Sequence, residues 1–170
     1  MKRNRVKRRY AAFVINHFYQ GTHFFKRKRS LLRWAGYEIG EDTKVVGPFF
    51  CTAELRVGRA CWIGRGFSID GNGSVSIGDC CDIAPYVNIL TGSHLIGDSS
   101  RRAGEGINTD VTIGNGTWVG ARATIVGDSD IGSGCVIGAC AMVKGSVPDN
   151  AMYGGVPAKP IAVEIEKKYG

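Results

Sequence analysis

Aliphatic residues recur every six positions along most of this chain. The series runs Ile39, Val45, Val57, Ile63 and Ile69, with Cys51 at the one intervening place. After a slip of two residues it resumes as Ile77, Ile83, Ile89 and Leu95. After a longer gap it continues as Ile113, Val119, Ile125, Ile131, Ile137 and Val143. Neither the 3.6-residue helix period nor simple strand alternation selects every sixth residue. The residue after the aliphatic one is often glycine, as at Gly40, Gly58, Gly64, Gly78, Gly114, Gly120, Gly132 and Gly138. The residue four places on is usually small: Thr43, Cys61, Cys81, Ser93, Thr117, Ala123, Ser129, Cys135 and Ala141. This pattern predicts short parallel strands, three to a coil, wound into a triangular prism. The aliphatic and small residues point inward, and glycine eases the backbone round the corner. Such coils bury a continuous core only by stacking on one another. The predicted fold is all-β, a parallel β-helix.

The repeat divides the chain. Residues 37–154 make the β-helix, and the last coil ends near Val147-Pro148-Asp149-Asn150. Residues 155–170 hold a Gly/Pro turn, which cannot be helical, followed by a short helix predicted over 161–169. Residues 1–36 form a basic arm. Its first 33 residues carry eleven Lys/Arg and no Asp/Glu, whereas the rest of the chain nets −4. Tyr10, Phe13, Val14, His17 and Phe18 fall on one helical face, and Leu31, Leu32 and Trp34 form a second apolar cluster. The arm suits a helical cap on the first coil, or a cap that also touches anionic membrane as a peripheral contact. Charge confined to one arm, with no recognised binding motif, argues against a nucleic-acid partner.

No run approaches the roughly 18 apolar residues of a membrane span. The apolar run from Tyr10 to Tyr19 is interrupted by Asn16 and His17, and no small-residue cleavage site follows, so no signal peptide is expected. The six cysteines contain no C-x-x-C and suit a reduced, cytoplasmic protein, with the inward-slot thiols packed as small hydrophobes. Two interruptions break the hexads. One is the slip at Asp70-Gly71-Asn72-Gly73-Ser74. The other is an excursion loop over about 96–110, rich in Gly, Ser and charge. Interruptions of a solenoid usually map to one face and mark where ligands enter.

The stretch from Ile77 to Ile161 carries an ordered set of motifs. They are Ile77-Gly78-Asp79, Ile83-Ala84-Pro85, Thr91-Gly92-Ser93-His94, Ile113-Gly114-Asn115-Gly116-Thr117-Trp118-Val119-Gly120 and Gly154-Gly155-Val156-Pro157-Ala158-Lys159. This set resembles the maltose/galactoside acetyltransferase branch of the hexapeptide-repeat acyltransferases. Leu31-Leu32-Arg33-Trp34-Ala35-Gly36 running into Ile39-Gly40 is more similar to the polysaccharide O-acetyltransferases of cell-envelope gene sets. The resemblance covers about residues 25–161. It implies a left-handed winding, a homotrimer, acetyl-CoA as co-substrate, no metal, and a sugar hydroxyl of an envelope or extracellular polysaccharide as acceptor.

Acyl transfer to a hydroxyl needs a base, and neutral imidazole serves near its own pKa. His94, the only histidine in the repeat, ends a hexad beside the excursion loop and matches the family's general base. Asp79 and Asp82 lie near it in sequence, although both also suit solvated carboxylates. On the acceptor side, Asp70 resembles an acceptor-contacting aspartate of the family, shifted by one residue, and Asn88 is a second candidate. Arg101 and Arg102 suit an anionic sugar or a solvated loop tip. On the donor side the resemblance assigns Trp118, Gly120, Ala121 and Ala139 to the pantetheine track, and Lys144 and Lys159 to the nucleotide phosphates. In the family's trimer, His94 and part of that track come from different subunits. Other readings stay open: N-acetylation of an amino-sugar nucleotide, O-acetylation of a xenobiotic, or a non-catalytic β-helix scaffold. A γ-class carbonic anhydrase would need three histidines for zinc, and here His17 and His23 lie in the arm.

Overall fold

The structure is a computed structural model that describes residues 2–162. Helices α1 (Lys2–His17) and α2 (Phe25–Trp34) precede a stack of parallel strands. The first coil comprises β1 (Glu38–Ile39), β2 (Lys44–Val45) and β3 (Phe49–Cys51). The second comprises β4 (Glu54–Val57), β5 (Trp62–Ile63) and β6 (Phe67–Asp70), and the third β7 (Ser74–Ile77), β8 (Asp82–Ile83) and β9 (Asn88–Leu90). An antiparallel hairpin of β10 (Gly92–Ile96) and β11 (Ala103–Asn108) then leaves the stack. The fourth coil holds β12 (Val111–Ile113), β13 (Trp118–Val119) and β14 (Thr124–Val126), and the fifth β15 (Ser129–Ile131), β16 (Val136–Ile137) and β17 (Met142–Val143). Strands β18 (Ser146–Val147) and β19 (Met152–Gly154) form two sides of a sixth coil, and β20 (Lys159–Ala162) folds back antiparallel on β19.

These strands build three flat faces. Face I is β1-β4-β7-β12-β15-β18, face II is β2-β5-β8-β13-β16-β19-β20, and face III is β3-β6-β9-β14-β17. Of the sixteen hexad positions, all but Cys51 and Leu95 are 5% exposed or less. In face I, Ile39 stacks on Val57, then Ile77, Ile113, Ile131 and Val147. In face II the column is Val45, Ile63, Ile83, Val119, Ile137 and Tyr153. The step from the first column to the second is six residues in every coil. The face III column, Cys51, Ile69, Ile89, Ile125 and Val143, follows the second by six residues in each coil as well, so all variation in coil length falls between faces III and I.

The corner between faces I and II is closed by side chains. Thr43 Oγ1 accepts the Cys61 N–H at 3.0 Å and donates to the Gly58 carbonyl at 2.6 Å. Cys61 Sγ repeats the pattern one coil on, accepting from Cys81 N at 3.4 Å and donating to Gly78 O at 3.0 Å. Thr117 Oγ1 does the same with Cys135 N at 3.1 Å and Gly132 O at 2.8 Å. The inward small residue thus pairs backbone groups that the turning chain leaves over, and those would be costly to bury unpaired. Hydrogen bonding between Cys61 and Cys81 holds the Cys61 thiol below its usual range, while Cys81 is pushed up by the same contact and by burial.

The arm caps the open end of the prism. Ala11 and Ile15 of α1 and Leu32 of α2 are fully buried against the first coil, above a stack of Tyr37, Phe49 and Phe67. The edge of that coil is satisfied by side chains in place of another strand. The Asn16 amide donates to Phe49 O at 3.1 Å and accepts from Phe49 N at 2.8 Å. Tyr37 Oη donates to Cys51 O at 2.8 Å, Arg33 Nε to Ile39 O at 2.6 Å and Arg8 to Ala53 O at 3.3 Å. Pairing an exposed edge in this way stops it templating another chain.

Three expectations change. Leu95 is not a core position: it lies on β10 and is 51% exposed, and Ser93 beside it is also exposed. The excursion is a paired hairpin that begins at Gly92, not an irregular loop from 96. The helix predicted over 161–169 does not begin at 161, because Ile161 and Ala162 belong to β20. There the return strand completes the hydrogen bonding of β19, whose edge would otherwise be open. The rest of that predicted segment lies outside the described residues.

Candidate active site

The two breaks in the hexads stack on one another at the III/I corner. Thr91 N donates to Asp70 O at 2.8 Å, Thr109 N to Thr91 O at 2.8 Å, and Ser74 N to the Asp110 carboxylate at 2.9 Å, so the hairpin's two feet are tied to each other and each is tied to the slipped segment. Gly71, at φ +116, is a conformation that only glycine adopts cheaply, and its missing side chain makes room for the backbone of Gly92. The slip at 71–73 is therefore the seat of the hairpin.

His94 projects from β10 opposite Gly106 of β11, and its ring is exposed. Its Nδ1 lies 3.0 Å from the carbonyl oxygen of Gly104. A carbonyl only accepts, so Nδ1 carries the proton and Nε2 of the neutral ring keeps its lone pair. Gly106 offers no side chain to cover the ring: a Cβ there would come to 3.9 Å from His94 Cε1. The residue that orients His94 is thus a backbone group on the facing strand. Asp79 is bound elsewhere, accepting from Arg59 N at 2.9 Å and Arg59 Nε at 3.0 Å. Those bonds, the backbone one first, hold its carboxyl below the usual range. Asp82 stands on face II, in register with Trp118.

The acceptor-side candidates lie along face III and its corner. Asp70 ends β6 in register with Leu90 of β9, and its carboxylate accepts the Gly71 N–H at 3.0 Å. Asn88 opens β9, between Ser68 and Thr124 of the neighbouring coils, and its amide oxygen accepts from the Ser68 hydroxyl. Arg101 and Arg102 are at the far end of the hairpin, in a turn held by Asp98, which accepts from Ser100 N at 2.9 Å and Arg101 N at 3.2 Å. Asp70, Asn88 and His94 therefore share one side of the prism, with the arginines beyond the histidine.

The donor-side candidates lie on the other side. Trp118 stands on face II and is 55% exposed, so it is not core packing. Gly120 and Ala121 turn the next corner, between faces II and III, and Ala139 occupies the same corner one coil on. Cys140 N donates to Ala121 O at 2.9 Å, which fixes the two turns together, and a Cβ on Gly120 would meet Ala139 N at 2.5 Å. Lys159 opens β20 beside Gly154. Lys144 is apart from these, in the turn between β17 and β18 at the III/I corner. The single chain does not bring His94 to Trp118. Arg122, next to Ala121, was not marked by the hexads; its guanidinium lies 5.3 Å from the Tyr86 ring centroid on the same corner. A concavity of about 840 Å³ lies between α2 and face II, is lined by Phe25, Arg29, Lys44 and Trp62 among others, and does not include His94.

The family described as bacterial transferase hexapeptide (six repeats) matches residues 110–145. The galactoside O-acetyltransferase of Escherichia coli is 28% identical over 159 residues, 92% of this chain and 77% of that protein. A probable acetyltransferase of Mycobacterium tuberculosis is 32% identical over 109 residues, and there the chain covers only 36% of the relative's length. The hexapeptide-repeat acetyltransferase of Vibrio cholerae, solved with acetyl coenzyme A, superposes with a TM-score of 0.85 at 24% identity, over 97% of this chain and 89% of that one. The chain is similar to the hexapeptide-repeat acetyltransferases and shares their fold, a left-handed parallel β-helix. The matched segment 110–145 spans the fourth and fifth coils, the stretch that carries Trp118, Gly120, Ala121, Ala139 and Lys144.

Proposed function

We propose that this protein is an acetyl-CoA-dependent O-acetyltransferase whose acceptor is a sugar hydroxyl of an envelope or extracellular polysaccharide or its precursor. The observation that carries the reading is the Nδ1 contact of His94 with the Gly104 carbonyl, 3.0 Å long, on a hairpin built over a break in the coils. It leaves Nε2 as the free base on an exposed edge. In the reaction, Nε2 takes the acceptor hydroxyl's proton as that oxygen attacks the thioester carbonyl. The tetrahedral oxyanion collapses, the C–S bond breaks, and the imidazolium returns the proton to the departing thiolate. The products are an acetyl ester and the free CoA thiol.

The separation of His94 from Trp118, Gly120, Ala121 and Ala139 favours a site shared between subunits. In a homotrimer the hairpin of one protomer reaches the donor-side corner of the next. Small residues there let the pantetheine amides approach the backbone, and Lys144, Lys159 and Arg122 supply cations for the phosphates. Asp70 and Asn88 hold the acceptor on the histidine's own side. The compartment that fits is the cytoplasm, where acyl-CoA is supplied.

The test is labelled acetyl-CoA offered with a panel of glycans and sugar nucleotides to wild type and His94→Ala. Transfer to a hydroxyl that falls by about 10²–10⁴ in the variant supports the reading. Equal turnover by both proteins overturns the base assignment. Light scattering that returns a monomer overturns the shared site.

A further inference from the structure

Helix α1 has two faces, and only one is used by the fold. Arg8, Ala11 and Ile15 lie on the inner face: Ala11 and Ile15 are fully buried, and Arg8 pairs with Glu54. The residues at 6, 10, 13 and 17 follow the helical spacing i, i+4, i+7, i+11, which places them on the opposite side. That side is open. Val6 is 71% exposed, Tyr10 56% and Phe13 52%, and His17 is exposed as well. Phe18 at 67% and Trp34 at 50% extend the same patch. The patch is a connected aromatic surface: Tyr10 meets Trp34 edge-on at 6.0 Å, and Phe13 meets His17 at 4.4 Å and Phe18 at 6.0 Å. An aromatic stripe of this size is not needed to close the prism, which is already sealed from the inner face.

Its borders are cationic. Lys7 reaches over the Trp34 ring at 5.0 Å, and Arg5 and Arg9 flank the stripe from the same helix. The ion pairs of the arm are Arg8–Glu54, Arg29–Glu41 and Arg33–Glu41. Arg5, Lys7 and Arg9 take part in none among the described residues. Residues 1–33 contain no acid, so nothing within the arm neutralises these charges. No helix among the described residues is long and apolar enough to cross a membrane.

We propose that the outer face of α1, with Phe18 and Trp34, docks on an anionic lipid bilayer. The aromatic rings enter the headgroup boundary, where amphipathic rings are favoured, and the flanking Lys and Arg meet lipid phosphates. A single weak anchor of this kind binds reversibly. A threefold axis along the prisms, which rests on the trimer proposed above, sets three such faces at one end of the assembly. The three contacts then act together, because the second and third engage at high effective concentration. An acceptor carried on a lipid at that surface is brought within reach of the hairpin without a covalent anchor.

The experiment is co-flotation of the full chain with vesicles of phosphatidylglycerol and phosphatidylcholine against vesicles of phosphatidylcholine alone. Binding is expected to the anionic vesicles only and to fall steeply as salt is raised. The double variant Phe13→Ser/Phe18→Ser, whose side chains are outside the core, is expected to weaken binding about tenfold or more while its thermal midpoint and its acetyl-CoA affinity by calorimetry stay unchanged. Arg5→Glu/Arg9→Glu is expected to weaken it by a similar factor. No binding to anionic vesicles at low salt overturns the proposal, as does binding that the aromatic variant leaves intact. A drop in molecular mass for the aromatic variant reassigns the stripe to contacts between copies of the chain. Acetyl-CoA binding is read separately, so failure on vesicles leaves the acetyltransferase reading standing, and the reverse.

Discussion

The I/II and III/I corners of the same prism have taken opposite paths. The first is crossed in every coil by the same six-residue step and is closed by Thr43, Cys61, Cys81, Thr117 and Cys135, whose hydroxyls and thiols bond to backbone. The second carries the slip at 71–73, the hairpin from 92 to 108, and the turn with Lys144. The difference separates two jobs. Satisfied backbone makes a corner stable and leaves nothing to offer a ligand. Interrupted coils expose groups that reach away from the prism, and His94 is one of them.

The largest expected effect is at the interrupted corner. His94→Ala lowers kcat by about 10²–10⁴ with no shift of the thermal midpoint, because the ring is exposed and supports no packing. Steady-state turnover with calorimetric melting checks both halves. A large loss of stability would break the contrast. Gly104→Val is the next in size. A Cβ there would stand 2.9 Å from Leu95 O and 3.3 Å from Gly97 Cα, so β11 must shift and carry the orienting carbonyl with it. The expected outcome is a kcat about tenfold to a hundredfold lower with acetyl-CoA affinity unchanged, read by turnover and calorimetry in parallel.

At the closed corner the signs exchange. Thr117→Val keeps the shape but leaves Cys135 N–H and Gly132 O unpaired in the core. Denaturant unfolding should show a loss of about 1–3 kcal/mol, while activity per folded molecule is retained. Thr117→Ser should recover most of that loss, and if it does not, packing of the methyl rather than the hydrogen bonds holds the corner.

A pH-dependent effect lies outside both corners. Lys28 is fully buried, donates to Gly21 O at 2.7 Å, and burial pushes it down to about 8 from 10.5. Between those two values the unfolded chain binds more protons than the folded one, so stability rises with pH across that window. The cost of keeping the charge is present in full below about 8. Wild-type stability should therefore rise relative to Lys28→Met from pH 8 to 10.5, and a flat difference would remove the buried cation as its cause.

Most of the prism was legible because a six-residue period sustained over many repeats fits neither a helix nor a plain strand, and the buried hexad positions from Ile39 to Val143 follow it. Leu95 was misread for a definite reason. It falls six residues after Ile89, but six is also a multiple of the strand period, so one side of an ordinary hairpin strand mimics a hexad. His94 was singled out by its motif and by the break beside it, and it lies exposed on the hairpin at that break. Its orienting group was not, since a backbone carbonyl leaves no mark on residue type. The glycines at 104 and 106, opposite the histidine, were the available signal. In α1 the apolar face was legible, yet the face that packs on the first coil is the weaker one, with Arg8, Ala11 and Ile15. Hydrophobicity alone does not say which of two faces the fold will use. The predicted start of the terminal helix failed at Ile161 and Ala162 because sequence propensity ignores the open edge of β19 that β20 completes.

That all length variation is absorbed at one corner has a consequence for how such a chain diversifies. Residues added between faces III and I change neither the pitch of the stack nor the register of any column, as the hairpin itself shows by leaving Ile77 over Ile113. Insertions elsewhere would rotate every later coil out of alignment. The scaffold thus behaves as a socket with one interchangeable fitting, and relatives with unlike acceptors can differ there while keeping the same spine.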